Sequence, residues 1–301
     1  MKDDNNTGTR KAVFVLGMHR SGTSATAGVL HYAGIDFGNR LLSGKPDNPK
    51  GFFEHEEIWN IHETLLNDLG SSWDDIRPLP LDWLGTEAAQ SASARLGEII
   101  DVEFSRLQVW GLKDPRLSRL FPLWFPILKE RSITPLIVLA IRHPLEVAQS
   151  LHRRDKIGLS HGLALWLRYT LEAEQSSRNF RRIVQHYPSL ISDWRAELEN
   201  ISNRLGLSCS ELSASTQIRI DRFIDKDLRH ESSCQQMTNY SISTHLDDLC
   251  TKAYNQIKIL NENSDTEILD EIYSKLSYFE KNTTHYSEIS GLYIKFSIEK
   301  T

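Results

Sequence analysis

Gly17-Met-His-Arg-Ser-Gly-Thr-Ser24 sets two glycines, a cation and three hydroxyls at the spacing of a phosphate-binding loop. In the triphosphate pattern a lysine follows the second glycine and reaches the β- and γ-phosphates, and the hydroxyl after it holds magnesium. Here Thr23 stands in the lysine position, while both glycines and the final serine are kept. The terminal phosphates are therefore absent from the ligand or handled by other residues. The backbone N–H groups of 20–24, the positive end of the helix that follows, and the side chains of Arg20, Ser21, Thr23 and Ser24 still favour an anion. Gly22 supplies the tight turn. The loop suits one phosphate carrying a small anionic group. His19 lies inside it and is grouped with the cofactor-facing residues; contact with substrate and packing beside the strand are its other uses.

A second anion site is written at Arg142-His-Pro-Leu-Glu-Val-Ala-Gln-Ser150. Arg142 ends the most apolar run of the chain, and a guanidinium suits bidentate phosphate contact. Pro144 fits the first position of a helix whose N-terminus adds to the field, and Ser150 lies on that helix.

Gly-x-x-Arg-Ser-Gly-Thr-Ser directly after a first strand resembles the 5′-phosphosulfate loop of the sulfotransferases that use 3′-phosphoadenosine 5′-phosphosulfate (PAPS). Arg142 and Ser150, eight positions apart, resemble the family's 3′-phosphate motif. Gly51-Phe-Phe-Glu54, Lys113-Asp-Pro-Arg116, Tyr187-PSLISD-Trp194 with Leu205-Gly-Leu207, and Phe223-IDKDLR-His230 resemble stretches of bacterial members in the same order, so the resemblance covers roughly residues 11–230. It implies transfer of a sulfuryl group from PAPS to an acceptor hydroxyl, leaving 3′-phosphoadenosine 5′-phosphate (PAP). The acceptor would be a saccharide, lipid, peptide or secondary metabolite. Arg20 takes the place of the family's catalytic lysine and would stabilise leaving-group charge without donating a proton. Glu54 is the favoured general base and His55 its rival: a histidine titrates near neutrality unaided, whereas a glutamate needs desolvation. No metal is expected. Two other readings are a non-catalytic nucleotide-binding member of the same fold and a P-loop kinase.

The elements that must position these groups follow from periodicity. Val13–Leu16, Gln108–Leu112, Pro135–Ile141 and Ile183–Tyr187 read as strands, the first a short apolar run and the third continuously apolar as in a parallel sheet covered on both faces. Helical patterns fall at 24–33, 56–69, 88–107, 144–151, 163–180 and 194–205, the last stopped by Gly206. Strands alternating with helices predict an α/β three-layer sandwich with a central parallel sheet, a P-loop-like loop and a mostly helical C-terminal extension. The expected organisation is a disordered tail over 1–10, a core over 11–214, and an extension over 215–301 packed on it. Helical spacing at Leu246, Leu249, Ala253, Ile257 and Leu260, then at Ile268, Ile272, Leu276 and Phe279, gives way to strand-like alternation from Leu292 to Ile298.

The chain has 301 residues with a formal charge of -5, 40% apolar and 25% charged residues. That balance argues against general nucleic-acid binding. No apolar run approaches the ~20 residues of a membrane span. The first residues do not read as a signal peptide, and Cys209, Cys234 and Cys250 match no metal or disulfide spacing. A cytoplasmic location is expected.

Overall fold

The computed structural model describes residues 9–44, 48, 50–209, 211–224, 244–260 and 266–276. Four parallel strands form its sheet: β1 (Arg10–Leu16), β2 (Val109–Lys113), β3 (Ile133–Ile141) and β4 (Arg181–His186), in the order β2-β1-β3-β4. β1 lies in the middle, with Val13 opposite Gly111 on one side and Leu136 on the other. Its side chains alternate between two cores. Ala12, Phe14 and Leu16 pack with α2 (Glu56–Asp68), α3 (Glu87–Ile99) and α4 (Leu117–Glu130). Val13 and Val15 pack with α1 (Thr23–Tyr32) and, further along the chain, with Leu190, Trp194, Leu198 and Ile201. Both faces of the sheet are thus covered, as continuous apolar strands require. The architecture is the expected α/β sandwich with a central parallel sheet.

α5 (Pro144–Asp155) and α6 (Leu159–Ser177) follow β3, and α7 (Tyr187–Ser192) and α8 (Trp194–Leu205) follow β4. α9 (Ala214–Phe223) and α10 (Thr244–Lys258) lie beyond. A third core joins α5 and α6 to Leu246, Leu249, Cys250, Ala253 and Ile257 of α10. The predicted face of α10 is therefore the buried one. In the next helical stretch Ile268 is exposed, and Leu269 takes the inward place with Ile272 and Leu276. Phe279, Cys234, the stretch 292–298 and most of Phe223–His230 lie outside the described residues.

Several boundaries differ from the sequence reading. Arg10 already belongs to β1, drawn in by pairing with Ile133. α3 stops at Ile99 and continues as one wider turn over Ile100–Phe104. Tyr187 opens α7 instead of closing β4. α4 was unanticipated because Pro122 and Pro126 lie inside it. Each removes an N–H donor from the helix ladder. The buried face formed by Leu117, Leu120, Phe121, Trp124 and Leu128 outweighs that local cost. No helix among the described residues is long and apolar enough to cross a membrane.

β1 leads to β2 on one side of the sheet, whereas β3 leads to β4 on the other. The chain therefore diverges between the C-terminal ends of β1 and β3, where open α/β sheets form their ligand crevice.

Phe14 is fully buried among Trp110, Phe121 and Trp124, with ring centroids 5.1–6.0 Å apart. Phe14→Ala is expected to cost about 3–5 kcal/mol, read as a lower urea midpoint with an unchanged slope.

Candidate active site

The two phosphate motifs leave the sheet side by side. Leu16 is opposite Leu139, so the loop after β1 starts next to the last residues of β3. Arg20 takes a left-handed backbone (φ 68°) and its Nε donates to Ser150 Oγ at 2.8 Å. Arg142 Nη1 donates to the Arg20 carbonyl at 3.3 Å. Each motif thus touches the other: the first supplies Arg20, the second Arg142 and Ser150.

Gly22 is the N-cap of α1 with a left-handed backbone (φ 93°), and no side chain caps that helix end with a hydrogen bond. A Cβ there would also stand 2.3 Å from the Tyr187 ring, so a glycine serves both the turn and the close approach. Arg142 lies over the same ring at 4.7 Å. Its Nε donates to Glu146 at 2.8 Å, while its Nη2 is buried without a partner among the described residues. An uncapped helix end, an orphaned guanidinium nitrogen and donors from Arg20 and Ser150 form a fitting cradle for phosphate groups. Ser21 and Thr23 are buried in the loop wall and Ser24 is half-buried at its rim. His19 packs its ring against Trp73 at 4.8 Å and Tyr169 at 6.1 Å. Burial, then the positive fields of Arg116 and Arg154, hold it well below the usual histidine range, so it stays neutral.

Adjacent residues diverge at Glu54 and His55. Glu54 turns toward the loop: Lys113 Nζ donates to its Oε1 at 2.5 Å and to Ser24 Oγ at 3.0 Å. Asn48 Nδ2 also reaches Ser24 Oγ, at 3.3 Å. Burial raises the Glu54 carboxyl above its ordinary range, against the opposing pull of Lys113. His55 faces elsewhere. Its Nδ1 accepts the N–H of Ile58 as the cap of α2, and its Nε2 lies 3.0 Å from Glu103, too poorly aligned for a hydrogen bond. The histidine is thus the helix cap.

Behind Glu54 runs a second buried network. His62 Nδ1 meets Asp114 Oδ2 at 2.8 Å, and Trp124 donates its indole N–H to His62 Nε2 at 3.3 Å. With Nε2 accepting from the indole, the ring proton offered to Asp114 is the one on Nδ1. Arg116 bonds Asp114 at 2.9 Å, pairs with Glu63, and stacks over Trp59 at 5.3 Å. Burial alone would raise the Asp114 carboxyl, but Arg116 and His62 hold it well below the usual range. Lys113 and Tyr187 were present in motifs read from the sequence. Their packing brings both to this cleft.

No family model matches the chain, and no curated protein does. Among solved structures it is similar to the sulfotransferase domain of the Synechococcus PCC 7002 olefin synthase, with 17% identity, 83% of this chain and 96% of that one covered, and a TM-score of 0.48. It is also similar to a Mycobacterium avium sulfotransferase (16%; 89% and 76%; 0.41) and to a mouse sulfotransferase complexed with PAP (14%; 92% and 88%; 0.37).

Asp114 generates a prediction with a definite sign. Its folded carboxyl refuses a proton that the unfolded chain takes up below about pH 4, so stability is full above that pH and falls as pH drops. Urea midpoints measured from neutrality to about pH 3 are expected to fall less steeply in Asp114→Asn. At neutral pH that variant should be destabilised by about 3–5 kcal/mol, because Arg116 loses a buried partner.

Proposed function

We propose that this chain is a PAPS-dependent sulfotransferase that transfers a sulfuryl group to a hydroxyl acceptor, working in the cytoplasm. The observation that carries the reading is the direct contact of Arg20 with Ser150, which joins two phosphate motifs into one crevice. PAPS, when bound, supplies the sulfuryl group; the roles that follow belong to this chain's residues.

The uncapped start of α1, with Ser21, Gly22, Thr23 and Ser24, would hold the 5′-phosphosulfate end. Arg142 and Ser150 would hold the 3′-phosphate, the orphaned Nη2 of Arg142 finding its partner there. Arg20, in the first motif and bonded to Ser150 of the second, would balance charge growing on the leaving phosphate oxygen. Glu54 would accept the proton of the acceptor hydroxyl as the new S–O bond forms. Its burial gives it the basicity for that task, and Lys113 keeps it ionised. His19, neutral at the loop's edge, would border the acceptor side with Trp73.

Calorimetry tests the reading. PAP is expected to bind better than ATP, without magnesium. Arg142→Ala should weaken PAP by about 10–100-fold, the worth of a lost charge-assisted contact. Arg20→Ala should also weaken PAP, by less than Arg142→Ala, while turnover with labelled PAPS across an acceptor panel is lost. Tighter binding of ATP than of PAP would overturn the assignment.

A further inference from the structure

Phe53, immediately before Glu54, has a left-handed backbone (φ 57°), a conformation that a bulky residue holds only under constraint from its surroundings. The constraint is an aromatic box. The Phe53 ring lies 5.4 Å from His31, 6.4 Å from Tyr32 and 5.6 Å from Phe223, the last nearly perpendicular at 87°. His31 and Tyr32 come from α1, whereas Phe223 is the last residue of α9.

Phe223 is itself seated by a glycine. A Cβ on Gly28 of α1 would stand 2.1 Å from its ring, so the ring enters only because that side chain is missing. Tyr32 flanks it at 5.3 Å. A second tie runs from the other end of the same turn. Lys50 Nζ donates to the carbonyls of Phe223 at 2.7 Å and Arg222 at 3.1 Å, closing the negative end of α9. The turn 50–53 is therefore fastened to α9 at two points, one polar and one aromatic. The backbone it imposes at Phe53 sends Glu54 toward Lys113 and Ser24, and the next residue, His55, toward Glu103.

We propose that the C-terminal end of α9, through Phe223 and Lys50, is a positioning element that holds Glu54 in the cleft against Lys113. Neither residue touches the reacting atoms. The proposal deepens the sulfotransferase reading and rests on Glu54 being its base. It gives the region beyond residue 207 a task at the catalytic carboxylate, which its sequence does not announce.

The test reads Glu54 directly in the full chain. Carboxyl-labelled glutamate gives a Glu54 signal, assigned by its loss in Glu54→Gln, and the signal is titrated by carbon NMR. The charged groups facing Glu54 are Lys113, Asp114 and Arg116, and the titratable group facing Phe53 is His31. Wild-type Glu54 is expected to titrate above the ordinary carboxylate range. In Phe223→Ala its midpoint should move down toward that range as water reaches the carboxylate, with PAP affinity unchanged, and Phe223→Leu should restore most of the shift. A folded Phe223→Ala chain with an unmoved midpoint overturns the proposal, as does a parallel loss of PAP affinity, which would mark a general structural role. If Phe223→Ala does not fold, Lys50→Met decides: a lowered midpoint supports the proposal and an unmoved one overturns it. A wild-type chain that binds no PAP would instead remove the sulfotransferase reading and leave the Glu54 result standing.

Discussion

Parallel pairing of β1 with β3 is the constraint from which the site follows. Backbone N–H and C=O groups inside a protein must be paired, and the ladder between these strands satisfies them along seven residues, Arg10 to Leu16. That register brings the loop after Leu16 beside Ile141 and Arg142. Once the strands are locked, Arg142 reaches the carbonyl of Arg20, and Arg20 reaches Ser150, across 122 and 130 residues of chain respectively. The strand order diverges at this pair, so no crossover helix fills the crevice.

The charges gathered around that crevice are a poor source of net stability, although breaking any one pair is costly. Buried ion pairs repay their desolvation poorly, and apolar residues of similar volume often stabilise as much or more. Yet Lys113, Asp114, Arg116 and Glu54 are all nearly inaccessible, and they cluster beside the C-terminal end of β2. Their arrangement is better understood as electrostatic preparation. Lys113 opposes the effect of burial on Glu54, and Arg116 with His62 keeps Asp114 ionised. Burial of the three apolar cores supplies the hydrophobic stabilisation.

The local parts of this architecture were legible. Val13–Leu16 followed by a glycine-bracketed polar loop and a helical pattern identifies a strand, an anion loop and a helix, because each depends on neighbours within a few residues. The same holds for Arg142 with Pro144 and for α8, bounded by Asp193 and Gly206. α4 was hidden because its two prolines argue against a helix locally, while the burial that overrides them comes from residues far away in the chain. α7 was hidden for a similar reason: Tyr187 looks like the end of a strand until its ring is needed against Gly22 and Arg142.

The amino-acid sequence by itself determined the layered α/β arrangement and the presence of two phosphate-suited motifs, since periodicity, glycine placement and charge type are properties of short segments. Only the tertiary structure decided that Glu54 and not His55 faces the loop. That choice turns on one left-handed residue, Phe53, whose backbone is held by a ring from α9 some 170 positions later. Lys113 likewise acquired its place beside Glu54 and Ser24 from strand pairing. Side-chain direction at a turn is a matter of a single dihedral, and the energy that selects it here comes from contacts no local pattern encodes.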